Sequence, residues 1–220
     1  QLRDHWEIVA EKISKENFIR SQPYGRGIDS FIRGCDLVNR SLPERFDTSF
    51  SRGAFHFEQF LVELHRTVLK GTPEFGYSLN NGSFAAYKNI KLNKFSRWYI
   101  RNNNGGVDPW LFASHCYIKV LCLKMFDEGN HRTASLLSNF VLLQRGLGYC
   151  IVSTDNAYKY FNLSYTIEDT LQTERFLLLD QLMLPVRTAI YARRYRRFLL
   201  DNVNHSSSPS LTLRTDSPNE

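Results

Sequence analysis

Apolar residues recur at helical steps along most of this chain. Trp6, Ile8, Val9, Ile13 and Phe18 fall at mixed steps that predict an amphipathic helix over residues 4–19. Phe31, Ile32 and Leu37 extend the same pattern over Ile28–Leu42, until Pro43 limits it. Phe57, Phe60, Leu61, Leu64 and Val68 form an apolar stripe over Phe55–Leu69 that Gly71 can close. The texture then changes. Between Gly71 and Gly106 Gly and Asn are frequent, Asn80-Asn81-Gly82 is turn chemistry, and short extended pieces predict a small β-hairpin within 83–92.

Helical patterning resumes at Asp108-Pro109, where Asp suits an N-cap and Pro the first helical position. The helix predicted from Pro109 to Lys124 or Met125 is apolar nearly all round (Trp110, Leu111, Phe112, Ile118, Val120, Leu121, Leu123), as a central buried helix should be. Further helices are predicted over 132–145, 154–162, 168–184 and 186–202. The Ser-, Pro- and Thr-rich stretch 206–220 is expected to be disordered. The chain has no internal repeats. The expected organisation is N-terminal helices over 1–54, a core over 55–184, a basic helix over 185–205 and the tail.

With 220 residues, 42% of them hydrophobic, the chain can bury one substantial core. No apolar run approaches the ~20 residues that span a bilayer, and the start has no signal-peptide pattern, so the expectation is a soluble protein with no membrane partner. Cys35, Cys116, Cys122 and Cys150 lack metal-ligand spacing and read as small core hydrophobes. The net charge of +6 points to an anionic partner. Arg187, Arg193, Arg194, Arg196 and Arg197 crowd one segment that could follow a nucleic-acid backbone, but a closing helix with solvated arginines is the favoured reading.

The segment with candidate chemistry is Phe126-Asp127-Glu128-Gly129-Asn130-His131-Arg132, between two apolar helices. A helix start presents unpaired N–H groups and the positive end of its dipole. Gly129 allows close backbone approach to a ligand, Asn130 and Arg132 add directed donors, and Glu128 could hold Mg²⁺ bridging phosphate oxygens. The same residues suit an ordinary inter-helix loop equally well.

The wider pattern resembles the Fic (Fido) family signature His-Pro-Phe-x-(Asp/Glu)-Gly-Asn-(Gly/Lys)-Arg, with Phe126, Glu128, Gly129, Asn130 and Arg132 in register. Looser likenesses extend over residues 55–184, including the helix and glycine stop through Gly146 and the tyrosine-containing segment 156–162. The resemblance implies a mainly all-α, Fic-like helical bundle with a small β-hairpin flap. It also implies ATP or another nucleotide as ligand, with Mg²⁺ at Glu128 and the phosphates at Gly129, Asn130, His131 and Arg132. Transfer of a nucleotide monophosphate to a Ser, Thr or Tyr hydroxyl of a protein target would follow, with the target docked along Tyr87, Lys88, Asn89 and Ile90 of the flap. Location in a cytoplasm, the cell's own or a host's, fits that activity.

Three departures qualify the resemblance. The signature histidine, which the family uses as base, falls at Lys124; the proline falls at Met125; and the second arginine, associated with the nucleotide γ-phosphate, falls at Ser135. Lysine is ordinarily protonated near neutrality, and a neighbouring triphosphate favours that charge. Lys124 is therefore expected to hold phosphate as a cation rather than to accept a proton. His131 is the alternative base in the same loop, although it lies beyond the turn. No inhibitory Ser/Thr-x-x-x-Glu-Gly/Asn helix is present. An impaired, Fic-like pseudoenzyme that binds a nucleotide or a partner is the alternative to an active transferase, with nucleic-acid binding through 187–197 third.

Overall fold

The computed structural model describes residues 22–42, 53–71, 86–103, 106–126, 128–150, 156, 158–160, 162–164, 166–167 and 180–204. The elements are α1 (Gln22–Ser41), α2 (Ala54–Leu69), α3 (Ala86–Asn102), α4 (Pro109–Leu123), α5 (Asn130–Gln144), β1 (Tyr149–Cys150), α6 (Asp180–Asn202) and β2 (Val203–Asn204). Helical residues also occur within 156–167. The fold is mainly α-helical, as the periodicity predicts. The two short strands pair antiparallel, Tyr149 opposite Asn204 and Cys150 opposite Val203. The helix expected over 4–19 and the tail over 206–220 lie outside the described residues.

The apolar α4 is central because burying it on all sides requires neighbours on all sides. It packs against α3, α5 and α6, while α2 packs against α1, α3 and α5. Phe112, Ala113, Cys116, Tyr117, Ile118, Val120 and Leu121 of α4 are all buried. Each large apolar side chain removed from water contributes roughly 1.5–3 kcal/mol. The Asp108 carboxylate caps α4 by accepting the Trp110 N–H at 3.0 Å, with Pro109 at the first position. Aromatic contacts tie the layers together. Phe57 of α2 stacks on Tyr99 of α3 at 3.8 Å between ring centroids, and Phe60 lies 4.6 Å from Phe140 of α5. Gly34 lets α1 approach closely, because a β-carbon there would collide with Leu136 of α5 and meet Val68 of α2.

The end of α5 follows the expected glycine stop. Gly146 has φ 68°, and the N–H groups of Gly146 and Leu147 bond the carbonyls of Leu143 and Leu142, each at 3.0 Å. The chain then runs into β1, which Asn139 holds from within α5. Its amide donates to the Cys150 carbonyl at 3.0 Å and accepts the Cys150 N–H at 2.7 Å. A buried amide satisfied on both sides is the arrangement a core tolerates.

Two expectations are corrected. The hairpin placed within 83–92 is not formed over 86–92, which are the first two turns of α3; residues 83–85 lie outside the described residues. Leu92, Phe95, Ser96 and Tyr99 bury one face of that helix, a helical spacing that outweighs the Asn- and Gly-rich approach to it. The two helices expected over 168–184 and 186–202 are, from Asp180 onward, one helix. Pro185 lies within its first two turns, where its missing N–H costs at most one hydrogen bond and does not break the helix.

No helix of the described residues is long and apolar enough to cross a membrane. Cys35, Cys116 and Cys150 are buried free thiols, and Cys122 is half-buried. Burial raises the thiols of Cys35, Cys116 and Cys150, with Cys150 pushed up to about 12. They are inert core groups rather than nucleophiles.

Candidate functional site at the turn between α4 and α5

The helix α4 stops at Lys124, which adopts a left-handed conformation at φ 43° and ψ 58°. It is the only non-glycine residue with positive φ among the described residues. A left-handed lysine costs on the order of 1 kcal/mol, so its surroundings must hold it there. One such hold comes from α3, where Lys91 Nζ donates to the Leu123 carbonyl at 2.7 Å. That bond places a cation on the last turn of α4, the negative end of its dipole. Met125 and Phe126 then turn inward and are buried.

Phe126 is held from two sides. Its ring stacks on His65 of α2, with 3.7 Å between centroids and 10° between planes. Its backbone is clasped by Asn130, whose amide donates to the Phe126 carbonyl at 2.8 Å and accepts the Phe126 N–H at 3.2 Å. His65 also lies 3.5 Å from Thr133 Oγ1. Gly129 sits between these groups at φ 75°, and a β-carbon there would come within 2.9 Å of Leu69 and 3.4 Å of His65. The glycine is required by its backbone angle and by contact with α2, two constraints a side chain could not meet together.

The second helix begins at Asn130, two residues earlier than expected, and no side chain caps it. Its first turn therefore offers backbone N–H groups and the positive dipole end to the loop. Arg132 is half-buried, and its Nη1 donates to the Val68 carbonyl at 3.2 Å, near the end of α2. Arg33 of α1 donates to the Lys70 carbonyl at 2.7 Å, so two arginines meet the carbonyl end of α2. Glu128 is exposed, while Lys124 and His131 are half-buried.

The structure thus brings Lys124, Glu128, Gly129, Asn130, His131 and Arg132 to one turn. Asn130 and Arg132 each give part of their hydrogen-bonding capacity to the protein's own backbone. Tyr87, Lys88, Asn89 and Ile90 lie on the first turn and a half of α3 rather than on a hairpin. Ser135 is buried below the loop among hydroxyl groups. The Tyr160 hydroxyl there is pushed up to about 12 by burial, with hydrogen bonding to Tyr117, Ser164 and Ser135 opposing the rise. An arginine's phosphate contact is therefore not reproduced from this position. Sequence reading missed His65, Leu69 and Lys91, the supports of the turn. Their only signal was apolar or cationic spacing on helices distant in sequence.

No group of three potential metal-ligating side chains occurs among the described residues. A single exposed carboxylate, Glu128, nevertheless suits Mg²⁺, which keeps waters and takes phosphate oxygens beside one or two carboxylates.

The geometry defines a mainly helical protein with a left-handed turn that opens on an uncapped helix start. Over 154 residues the chain is 25% identical to the protein adenylyltransferase Fic of Drosophila persimilis, covering 63% of this chain and 29% of that protein. The same identity and length hold for the proteins of that name from Drosophila melanogaster and Drosophila virilis, of which 30% is covered. The chain is thus weakly similar to Fic protein adenylyltransferases and spans under a third of their length. No family model and no solved structure matches it.

Proposed function

We propose that this chain is a Fic-like protein that binds a nucleotide or related phosphate ligand at the 126–132 loop. The observation that carries the reading is the uncapped start of α5, entered through left-handed Gly129. Backbone N–H groups at residues 130–132 would meet phosphate oxygens. Arg132 supports the same role: its guanidinium has five N–H donors, and one is recorded on the Val68 carbonyl. Glu128 would hold Mg²⁺, which supplies charge neutralisation between phosphate oxygens. Lys124, brought to the loop by its left-handed backbone, would add a cationic contact.

The similarity to adenylyltransferases favours a second reading, transfer of a nucleotide monophosphate such as AMP to a Ser, Thr or Tyr hydroxyl of a protein target. Such transfer needs a group that takes the hydroxyl proton, and the candidates are Lys124 and His131. The binding reading is preferred because a lysine holding phosphate is the wrong protonation state for that step. In this reading the protein is an impaired, nucleotide-binding relative of the transferases, acting in a cytoplasm.

Calorimetry with ATP and Mg²⁺ tests the binding. Arg132→Ala and Lys124→Ala should each weaken it by about 1.5–3 kcal/mol, roughly ten- to a hundredfold in affinity. Absence of wild-type binding at millimolar ligand would remove the reading. Labelled-ATP transfer into lysate proteins distinguishes the alternatives. Binding without transfer, with transfer gained by Lys124→His, identifies Lys124 as a phosphate-holding cation. Robust wild-type transfer lost in Lys124→Ala, with affinity unchanged, identifies it as the base.

A further inference from the structure

The chain carries 28 Lys and Arg against 22 Asp and Glu. Residues 86–126 hold seven of these cations and a single acid, Asp108, so the remainder balances at 21 of each. The whole excess of +6 therefore falls within residues 86–126, from α3 through α4 to Phe126, just short of the acidic pair Asp127 and Glu128. Asp108, the one acid counted there, pairs with Arg196 of α6 at 2.7 Å rather than with a cation of α3.

Three of these cations share one exposed face. With Leu92, Phe95, Ser96 and Tyr99 packed inward, α3 exposes Ile90, Lys94, Arg97 and Arg101, spaced at successive helical turns. Among the described residues no ion pair is recorded for Lys94, Arg97 or Arg101. The stripe covers roughly 16 Å at about 1.5 Å per residue. Its Ile90 end is the end that meets the loop, because Lys91 bonds the Leu123 carbonyl immediately before Lys124.

We propose that the outer face of α3 docks an acidic segment of a partner protein. Acidic side chains repeating at a similar spacing would meet the three cations, and one apolar residue would cover Ile90, which is 52% exposed. A single strand of nucleic acid fits less well, since such sites stack bases on open rings. Among the described side chains, the large ring on this helix next to the stripe, Trp98, has Lys119 over it at 4.6 Å and packs against Phe112. A membrane surface requires a broad apolar face, and among the described side chains of this helix Ile90 is the one exposed large apolar residue. This rests on the loop reading proposed above: the partner lies along α3 with one end at the ligand-binding turn, and under the transfer reading it would be the hydroxyl-bearing target.

The test uses a fluorescein-labelled peptide of repeated Glu-Glu-Leu-Ser, followed by fluorescence anisotropy. Wild type should bind it at low salt and weaken steeply as ionic strength passes ~0.15 M. The triple reversal Lys94→Glu, Arg97→Glu, Arg101→Glu should weaken binding by at least about tenfold, and the Gln triple by less. Both triples should keep the wild-type circular dichroism and affinity for ATP with Mg²⁺. Unchanged peptide binding in both triples overturns the proposal. So does an equal loss from Arg193→Glu, Arg194→Glu, Arg197→Glu on α6. Tighter α3-dependent binding of labelled oligothymidine or of phosphatidylserine vesicles would instead assign the face to nucleic acid or membrane. ATP binding without peptide binding sinks this inference and leaves the loop reading standing. Peptide binding without ATP binding does the reverse.

Discussion

In the turn between α4 and α5, Asn130 bonds both polar groups of the Phe126 backbone and Arg132 bonds the Val68 carbonyl. On the outer face of α3, Lys94, Arg97 and Arg101 are exposed, with no ion pair recorded among the described residues. Both regions are rich in polar or cationic residues, yet their side chains serve different ends. In the turn the conspicuous residue types fix the path of the backbone, and under the function proposed above recognition would fall largely to N–H groups that no sequence motif displays. On the outer face of α3, Lys94, Arg97 and Arg101 have no recorded hydrogen bond among the described residues, and the docking proposed above would use them. A motif can thus mark where a site lies while its residues mainly hold the shape, and a stretch without a motif can carry the contact surface.

The sharpest way to break this contrast is Gly129→Val. A β-branched side chain at φ 75° meets Leu69 as well as an unfavourable backbone angle. The expected cost is about 2–4 kcal/mol in urea-denaturation free energy. A variant as stable as wild type would show that the turn is not held against α2.

Asn130→Ala should come next, costing about 1–3 kcal/mol because it strands the Phe126 N–H and carbonyl. Arg97→Gln on α3, by contrast, should stay within ~0.5 kcal/mol of wild type. Equal costs in the two denaturation curves would erase the distinction between a shape-holding and a surface-presenting region.

The same distinction explains what could be read from the sequence. The helices α2, α4 and α5 were legible because their apolar stripes, the Asp108-Pro109 start and the Gly146 stop are local signals. The turn was legible as Phe126–Arg132 because Gly129 and Asn130 are chemically conspicuous. The helix α3 is not legible over 86–92, where short extended pieces after the Asn80-Asn81-Gly82 turn suggest a hairpin. What decides it is burial of Leu92, Phe95 and Tyr99 against α2 and α4, a tertiary effect that overrides local preference. His65 was invisible for the same reason. Its stacking on Phe126 joins residues 61 positions apart, and nothing nearby in the chain announces it.

A further modest effect lies on the seam between α3 and α4, at His115. This residue of α4 faces Trp98 of α3 edge-on at 6.3 Å, with Lys119 one turn further along. Its Nδ1 has no hydrogen-bond partner among the described residues. Burial, and then the Lys119 charge, lower its pKa below the ordinary 6.5. The folded state therefore binds this proton less readily than the unfolded chain does. The neutral ring's contribution is fully present above the unfolded value and is lost as pH falls below it toward the folded value. Because the ring is only half-buried, solvent screens the effect and keeps it modest. Urea midpoints at about pH 7.5 and about pH 5.5 should drop more for wild type than for His115→Gln, isolating this ring from the other histidines. Equal drops would mean that the α3–α4 seam admits enough water to leave the imidazolium as comfortable folded as unfolded.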